Sequence, residues 1–169
     1  MDYLNIGHCF SILHRRSQLF IVMACERLQL TYSEYVLLIR LYEKEGLSQE
    51  KLSNLLFWDK AVVTRTMNLL EKKGLIYREQ DKEDRRVKRV YPTERAMEEK
   101  DYLLGVLRSW IQYLSKDFGE DELKLLTRGF EDIAHRAAEA NIQGLARIME
   151  EYQEEKNFEG NRTGEGEYI

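Results

Sequence analysis

The side chains with the most concentrated chemistry lie between Lys60 and Lys88. Lys60, Arg65, Lys82, Arg85, Arg86 and Lys88 supply cations, and Thr64 and Asn68 supply neutral hydrogen-bonding groups. Lysine and arginine bind phosphate oxygens, arginine reads guanine bidentately and asparagine reads adenine. Lys60, Thr64, Arg65 and Asn68 fall on one side of a helix, and Ala61 and Val62 beside them offer methyl groups that can touch thymine. Residues 58–95 hold eleven Lys and Arg against seven Asp and Glu, within a chain whose net charge is -4. A basic island on an acidic body points to a double-stranded nucleic acid, because phosphate contacts supply most of the affinity of such proteins.

Other chemistries lack their parts. The sequence has no glycine-rich phosphate loop, nucleophile motif or recognisable carboxylate pair, so it does not read as an enzyme and implies no cofactor. His8 and Cys9 are adjacent and would project about 100° apart on a helix. No spacing that includes them, His14 or His135 resembles a closed metal site, so no metal is expected. Cys9 and Cys25 are too few for a disulfide scaffold and imply a reducing, cytoplasmic setting.

The 169 residues are 43% apolar and 33% charged, enough for one domain with a core. Mean hydropathy is -0.55, no apolar run approaches the ~20 residues that span a bilayer, and no signal peptide is legible. One proline and ten glycines argue against an all-β fold.

The elements that must carry the island follow from periodicity. Ile6, Phe10, Leu13, Phe20, Ala24 and Leu28 predict a first helix with a second apolar face beside it. A second helix starts at Thr31 or Ser33 and stops before Gly46. Ser48 caps a short third helix, and Asp59 is placed as N-cap of a fourth over 60–73 that Gly74 ends. LIYREQ and VKRVY predict two strands joined by the polar turn DKEDRR. Thr93 opens one long helix to about Asp117, and Glu120 opens a last one carrying Leu123, Leu126, Phe130, Ile133 and Ala137. Seven glutamates after Met149 read as an acidic tail, with about its last dozen residues disordered.

Short helix, three-residue turn, capped helix and basic hairpin make a winged helix-turn-helix. The segment LSQEKLSNLLFWDKAVVTRTMNLLEKKGLIYRE, with its DK-x-x-VTR and LE-K-KGLI runs, resembles the MarR family of transcriptional regulators. The wing DKEDRRVKRVYPT is similar to that family's D-x-R signature at Asp84, Arg85 and Arg86. The chain departs from the pattern at Phe57 and Trp58, where a glycine and a small aliphatic are common. It departs again at Ala61 and Val62, where polar residues are frequent, and at Pro92 and Ala96.

The resemblance implies a mainly α fold with a small β-hairpin: a winged helix-turn-helix DNA-binding lobe over 31–92, and a helical dimerisation region over 1–30 and 93–145. An acidic, partly disordered tail would follow over 146–169. It implies a homodimeric repressor on a near-palindromic operator, released by a small aromatic or phenolic effector. Ser48, Gln49, Lys60, Ala61, Val62, Thr64, Arg65, Asn68, Lys82, Arg85, Arg86 and Lys88 are the expected DNA contacts. Asp59 and Asp84 would orient Arg65 or Arg86. Some members sense peroxide through a first-helix cysteine. Cys9 is the candidate here, with Tyr32, Tyr35 and Tyr42 as hydroxyl neighbours. The alternatives are that redox role and a winged-helix protein-interaction module that does not bind DNA.

Overall fold

The computed structural model describes the backbone of residues 2–163 and side chains through Tyr152. The chain forms two compact units, Met1–Phe118 and Gly119–Ile169. In the first unit, α1 (Tyr3–Ala24) leads through a 3-10 turn (Glu26–Leu28) to α2 (Tyr32–Glu43). Strand β1 (Leu47–Ser48), α3 (Gln49–Leu56) and α4 (Lys60–Lys72) follow. Strands β2 (Ile76–Gln80) and β3 (Lys88–Pro92), then α5 (Glu94–Glu98) and α6 (Lys100–Ser115), complete it.

Local chemistry sets most boundaries. Thr31, not Ser33, caps α2: its hydroxyl accepts from Glu34 N at 3.3 Å, and Glu34 returns a carboxylate to Thr31 N at 2.7 Å. Gly46 and Gly74 take positive φ after α2 and α4, where other residues would be strained. Ser48 and Thr93 cap α3 and α5 through their hydroxyls.

The sheet is antiparallel in the order β1-β3-β2, with Leu47 opposite Val90 and Ile76 opposite Pro92. Strand β1 had no counterpart among the predicted elements, because two residues carry no alternation. It exists because β3 offers a free edge. The core gathers Leu37, Leu38 and Leu41 of α2 with Leu52, Val63, Met67, Leu70, Leu75, Val90 and Leu103, all essentially without exposure. Each such leucine or valine contributes about 1.5–3 kcal/mol by leaving water. This core clamps α3, α4 and the hairpin to α2.

The single long helix expected after Thr93 is two helices, broken at Glu99. Ala96 O accepts from Glu99 N at 3.2 Å and also from the Tyr42 hydroxyl, while Arg27 draws off the Glu99 carboxylate. These tertiary partners meet at the one tightened turn between α5 and α6.

In the second unit, α7 (Glu120–Glu139) is followed by α8 (Ile142–Thr163). Helix α8 extends to Thr163, well into the stretch expected to be an acidic, partly disordered tail over 146–169. Asn141 Oδ1 accepts from Gly144 N at 3.0 Å, and Ile142, Leu145, Met149 and Tyr152 recur at helical steps. Glutamate is itself a good helix former, so an acidic stretch can carry a helix. Residues 164–169, the end of the stretch expected to be disordered, lie outside the described residues. Among the described residues no helix is long and apolar enough to cross a membrane.

Candidate nucleic-acid interface

The outward face of α4 is Ala61, Arg65 and Asn68, all exposed and spaced four and three apart. Lys60 is exposed at the first turn, with Nζ 3.9 Å from Glu50. Thr64 and Val62 are half-buried on opposite flanks of that face, while Val63, Thr66, Met67 and Leu70 point into the core. The Arg65 guanidinium makes no hydrogen bond or ion pair among the described residues.

Four expected contact residues are already engaged within the protein. Gln49 Nε2 donates to Thr64 Oγ1 at 2.6 Å, and Thr64 Oγ1 donates to Lys60 O at 2.7 Å. Gln49 therefore ties the start of α3 to the first turns of α4. Asn68 Oδ1 accepts from Arg78 Nη2 at 2.7 Å, and Arg78 also pairs with Glu71, whose carboxyl is held below its ordinary range by that bond. Ser48 spends its hydroxyl on capping α3.

The turn between α3 and α4 carries the two aromatics Phe57 and Trp58. Phe57 adopts a left-handed backbone, φ 53°, and its side chain is 72% exposed. Trp58 instead packs against the core and accepts the Ser53 hydroxyl at its carbonyl. A positive φ explains why glycine suits this position.

The wing tip is built from nested aspartate turns. Asp81 Oδ1 accepts from Glu83 N at 2.9 Å and Asp84 N at 3.0 Å, and Asp84 Oδ1 accepts from Arg86 N at 3.0 Å. Lys82, Arg85, Arg86 and Lys88 stand exposed around this tip.

Among the described residues, neither Asp59 nor Asp84 pairs with the guanidinium of Arg65 or Arg86. Asp59 occupies the N-cap position of α4, but its side chain makes no capping bond and no pair with Arg65. Asp84 holds the Arg86 backbone, not its guanidinium, because a carboxylate two residues away meets the local N–H first. At the wing the acid paired with an arginine side chain is Asp81. It pairs with Arg89, whose Nη1 also donates to Gly46 O at 3.0 Å. The Asp84 and Glu83 backbone N–H groups and Arg89 hold the Asp81 carboxyl down to about 2. Arg78, Arg89 and Asp81 were absent from the sequence-based list. Only the strand register, Arg78 beside Val90 and Glu79 beside Arg89, reveals them.

Cys9 is exposed on α1, with Sγ 4.0 Å from Asn5 Oδ1. Its expected hydroxyl neighbours are committed elsewhere: Tyr35 OH donates to Leu103 O at 2.9 Å and Tyr42 OH to Ala96 O. Tyr32 presents its ring to His14, edge on at 6.0 Å. Cys25 is buried, and burial pushes its thiol up to about 11. Among the described residues no group of three or more His, Cys, Asp or Glu is arranged to hold a metal ion.

Comparison with known proteins gives the same architecture. The MarR family profile matches residues 30–88, from the end of the α1–α2 turn through the wing. A crystal structure of MarR is 34% identical, with a TM-score of 0.71, over 78% of this chain and 89% of that one. The chain belongs to the MarR family. Its winged helix-turn-helix is that of the family's transcriptional regulators. A MarR-family regulator from Listeria monocytogenes, solved with a 26-mer DNA, is 25% identical with a TM-score of 0.75, over 82% of this chain and 90% of that one. The uncharacterized regulator YybA of Bacillus subtilis is 35% identical over 68 residues, 40% of this chain. That match spans 45% of YybA, less than half its length.

Proposed function

We propose that this chain binds double-stranded DNA sequence-specifically as a homodimeric transcriptional repressor released by a small-molecule effector. The observation that carries this reading is the exposed Ala61–Arg65–Asn68 face of α4, rigidly backed by the core and flanked by an unpaired basic wing. An α-helix fits the major groove, where every base pair is distinguishable. Arg65 is the side chain free to read a base, and Ala61 offers a methyl group. Asp59 leaves the first-turn amides of α4 without a side-chain acceptor, a terminus suited to a phosphate oxygen. Lys82, Arg85, Arg86 and Lys88 supply backbone contacts.

Dimerisation is assigned to residues 1–30 and 93–145, and DNA binding to 31–92. The support is apolar surface that a monomer would leave in water. Phe10 and Ile12 of α1, Ile111 and Leu114 of α6 and Phe130 and Ile133 of α7 are all exposed. Two-fold symmetry sets two α4 helices about one DNA turn apart, ~34 Å, on a near-palindromic site.

For the effector, an open cavity of about 380 Å³ lies between α1 and α2, lined by Arg15, Gln18, Leu19, Val22 and Thr31–Ser33. A cation, an aromatic ring and aliphatic walls suit a small aromatic acid or phenol. By linkage such an effector binds the free dimer more tightly than the DNA-bound one.

The test is selection of bound fragments from the source genome, followed by competition against random duplex at low salt. Enrichment of one near-palindromic site supports the reading. Retention of no duplex at low salt leaves a protein-interaction module. Release from the site by organic hydroperoxide, abolished by Cys9→Ser, would assign redox control in place of a ligand.

A further inference from the structure

One buried charge in the molecule is not needed to read DNA. Glu34, in the first turn of α2, is fully buried. Its Oε2 accepts from Thr31 N at 2.7 Å and from Lys73 Nζ at 2.8 Å, and its Oε1 lies 2.7 Å from the same ammonium. Oε1 has no other partner of its own. Lys73 is the C-cap residue of α4, 39 residues away in sequence. Its ammonium also donates to Gln29 O at 2.5 Å, and its own carbonyl accepts from Arg95 Nη1 at 2.7 Å. Gln29 is itself held in a left-handed backbone, φ 52°.

Lys73 grips Gln29 and Glu34, the residues that bracket the segment walling the α1–α2 cavity. Thr31, Tyr32 and Ser33 line that cavity, and Thr31 is tied to Glu34 by the capping box. A ligand that displaces Thr31–Ser33 must either break the capping box or carry Glu34 with it. Breaking it takes the Thr31 N–H away from a buried carboxylate oxygen, which is disfavoured. Moving it drags Lys73, and with it the last turn of α4. A hydrophobic contact at the same place would slide. An ion pair anchored on a buried carboxylate, with Lys73 also held by Gln29 O, transmits displacement.

We propose that Lys73 is a positioning residue for α4, and that its pair with Glu34 is the link by which occupancy of the α1–α2 cavity sets the pose of the recognition helix. This rests on the reading of α4 as the DNA-reading helix. It adds the route from the cavity to that helix.

The test fills the cavity without knowing the natural ligand. Full-length Cys9→Ser/Ser33→Cys protein is labelled with benzyl methanethiosulfonate, which leaves a benzyl group on the cavity wall. Cys25 stays unlabelled because it is buried with its thiol held protonated. Mass spectrometry counts the label, and dithiothreitol removes it. Labelling should weaken operator binding on the order of tenfold, within the usual range of coupling between sites. Adding Glu34→Gln/Lys73→Met, which keeps an acceptor for Thr31 N and leaves no lone charge, should shrink the effect below about twofold. Lys73→Arg should preserve it. In the protein with the pair intact, labelling should also speed hydrogen exchange at the amides of Leu70 to Lys73, a readout that does not require the double variant to fold. An equal loss of affinity with and without the pair overturns the proposal, as does a label that changes neither affinity nor exchange in α4. Failure of the unlabelled protein to bind the operator is a separate result, seen first, that sinks the DNA-binding reading and this inference with it.

Discussion

Gln49 Nε2 lies 2.6 Å from Thr64 Oγ1, joining the first residue of α3 to the second turn of the helix that would enter the groove. Because Thr64 also donates to Lys60 O, its hydroxyl holds the helix start more than it offers itself to a base. Gln49→Ala and Thr64→Ala should each weaken operator binding by about 0.5–1.5 kcal/mol. The double variant should cost less than their sum, since both remove one bond. Arg65→Ala should cost about 1–3 kcal/mol on the operator and much less on random duplex, as a base contact does. Isothermal titration of the four proteins on both duplexes, with circular dichroism for the fold, decides between these roles. Additive losses at 49 and 64 would refute the shared bond.

The wing should behave differently. Arg85 and Arg86 stand on an exposed tip held by two five-residue strands. Arg86→Ala should lower the slope of log affinity against log salt by about two in a dimer, one phosphate contact per wing. Affinity should fall by a similar factor on operator and random DNA. A salt titration that leaves the slope unchanged would remove Arg86 from the phosphate backbone.

Asp81 gives the wing a pH dependence. Its carboxyl sits at about 2, down from 3.8, because backbone amides and Arg89 favour the charged form. A depressed value means the contribution is complete above the ordinary range and is lost as pH falls toward about 2. Near neutral pH, Asp81→Asn should therefore speed amide exchange at Glu83 and Asp84. That difference from wild type should vanish in strong acid, as hydrogen exchange measured by NMR would reveal.

Phe57 holds a left-handed backbone at a cost of roughly 1–2 kcal/mol, and its largely exposed ring recovers little by packing. Phe57→Gly should be stabilising by about 0.5–1 kcal/mol after the larger chain entropy of glycine is set against it. Thermal melts should show a rise of roughly 1–4 °C. A lower melting temperature would mean that the ring packs better than its exposure suggests.

Ending the chain at Phe118 should abolish the dimer, since the exposed apolar residues of α7 go with it. Light scattering should find monomer or aggregate. A soluble dimer would place the interface wholly within the first unit.

The elements of the reading head were legible because their determinants are local. Ser48 and Thr93 cap through bonds to residues three positions ahead, Gly74 ends α4 with a positive φ, and the strands alternate with period two. The basic island needed only counting. What the sequence could not yield is every relationship that joins distant positions. The break at Glu99 is made by Tyr42 and Arg27, 54 and 72 residues from the atoms they hold. Strand β1 has too few residues for a period and forms only against the edge of β3. Asp84 looked like the partner of Arg86, but a backbone amide reached it first, and hairpin register gave Arg89 to Asp81 instead. Lys73 reads as one more solvated charge at a helix end until folding sets it against a buried carboxylate. Periodicity and capping are encoded within a turn or two of chain, whereas desolvation and ion pairing depend on which surfaces the core brings face to face.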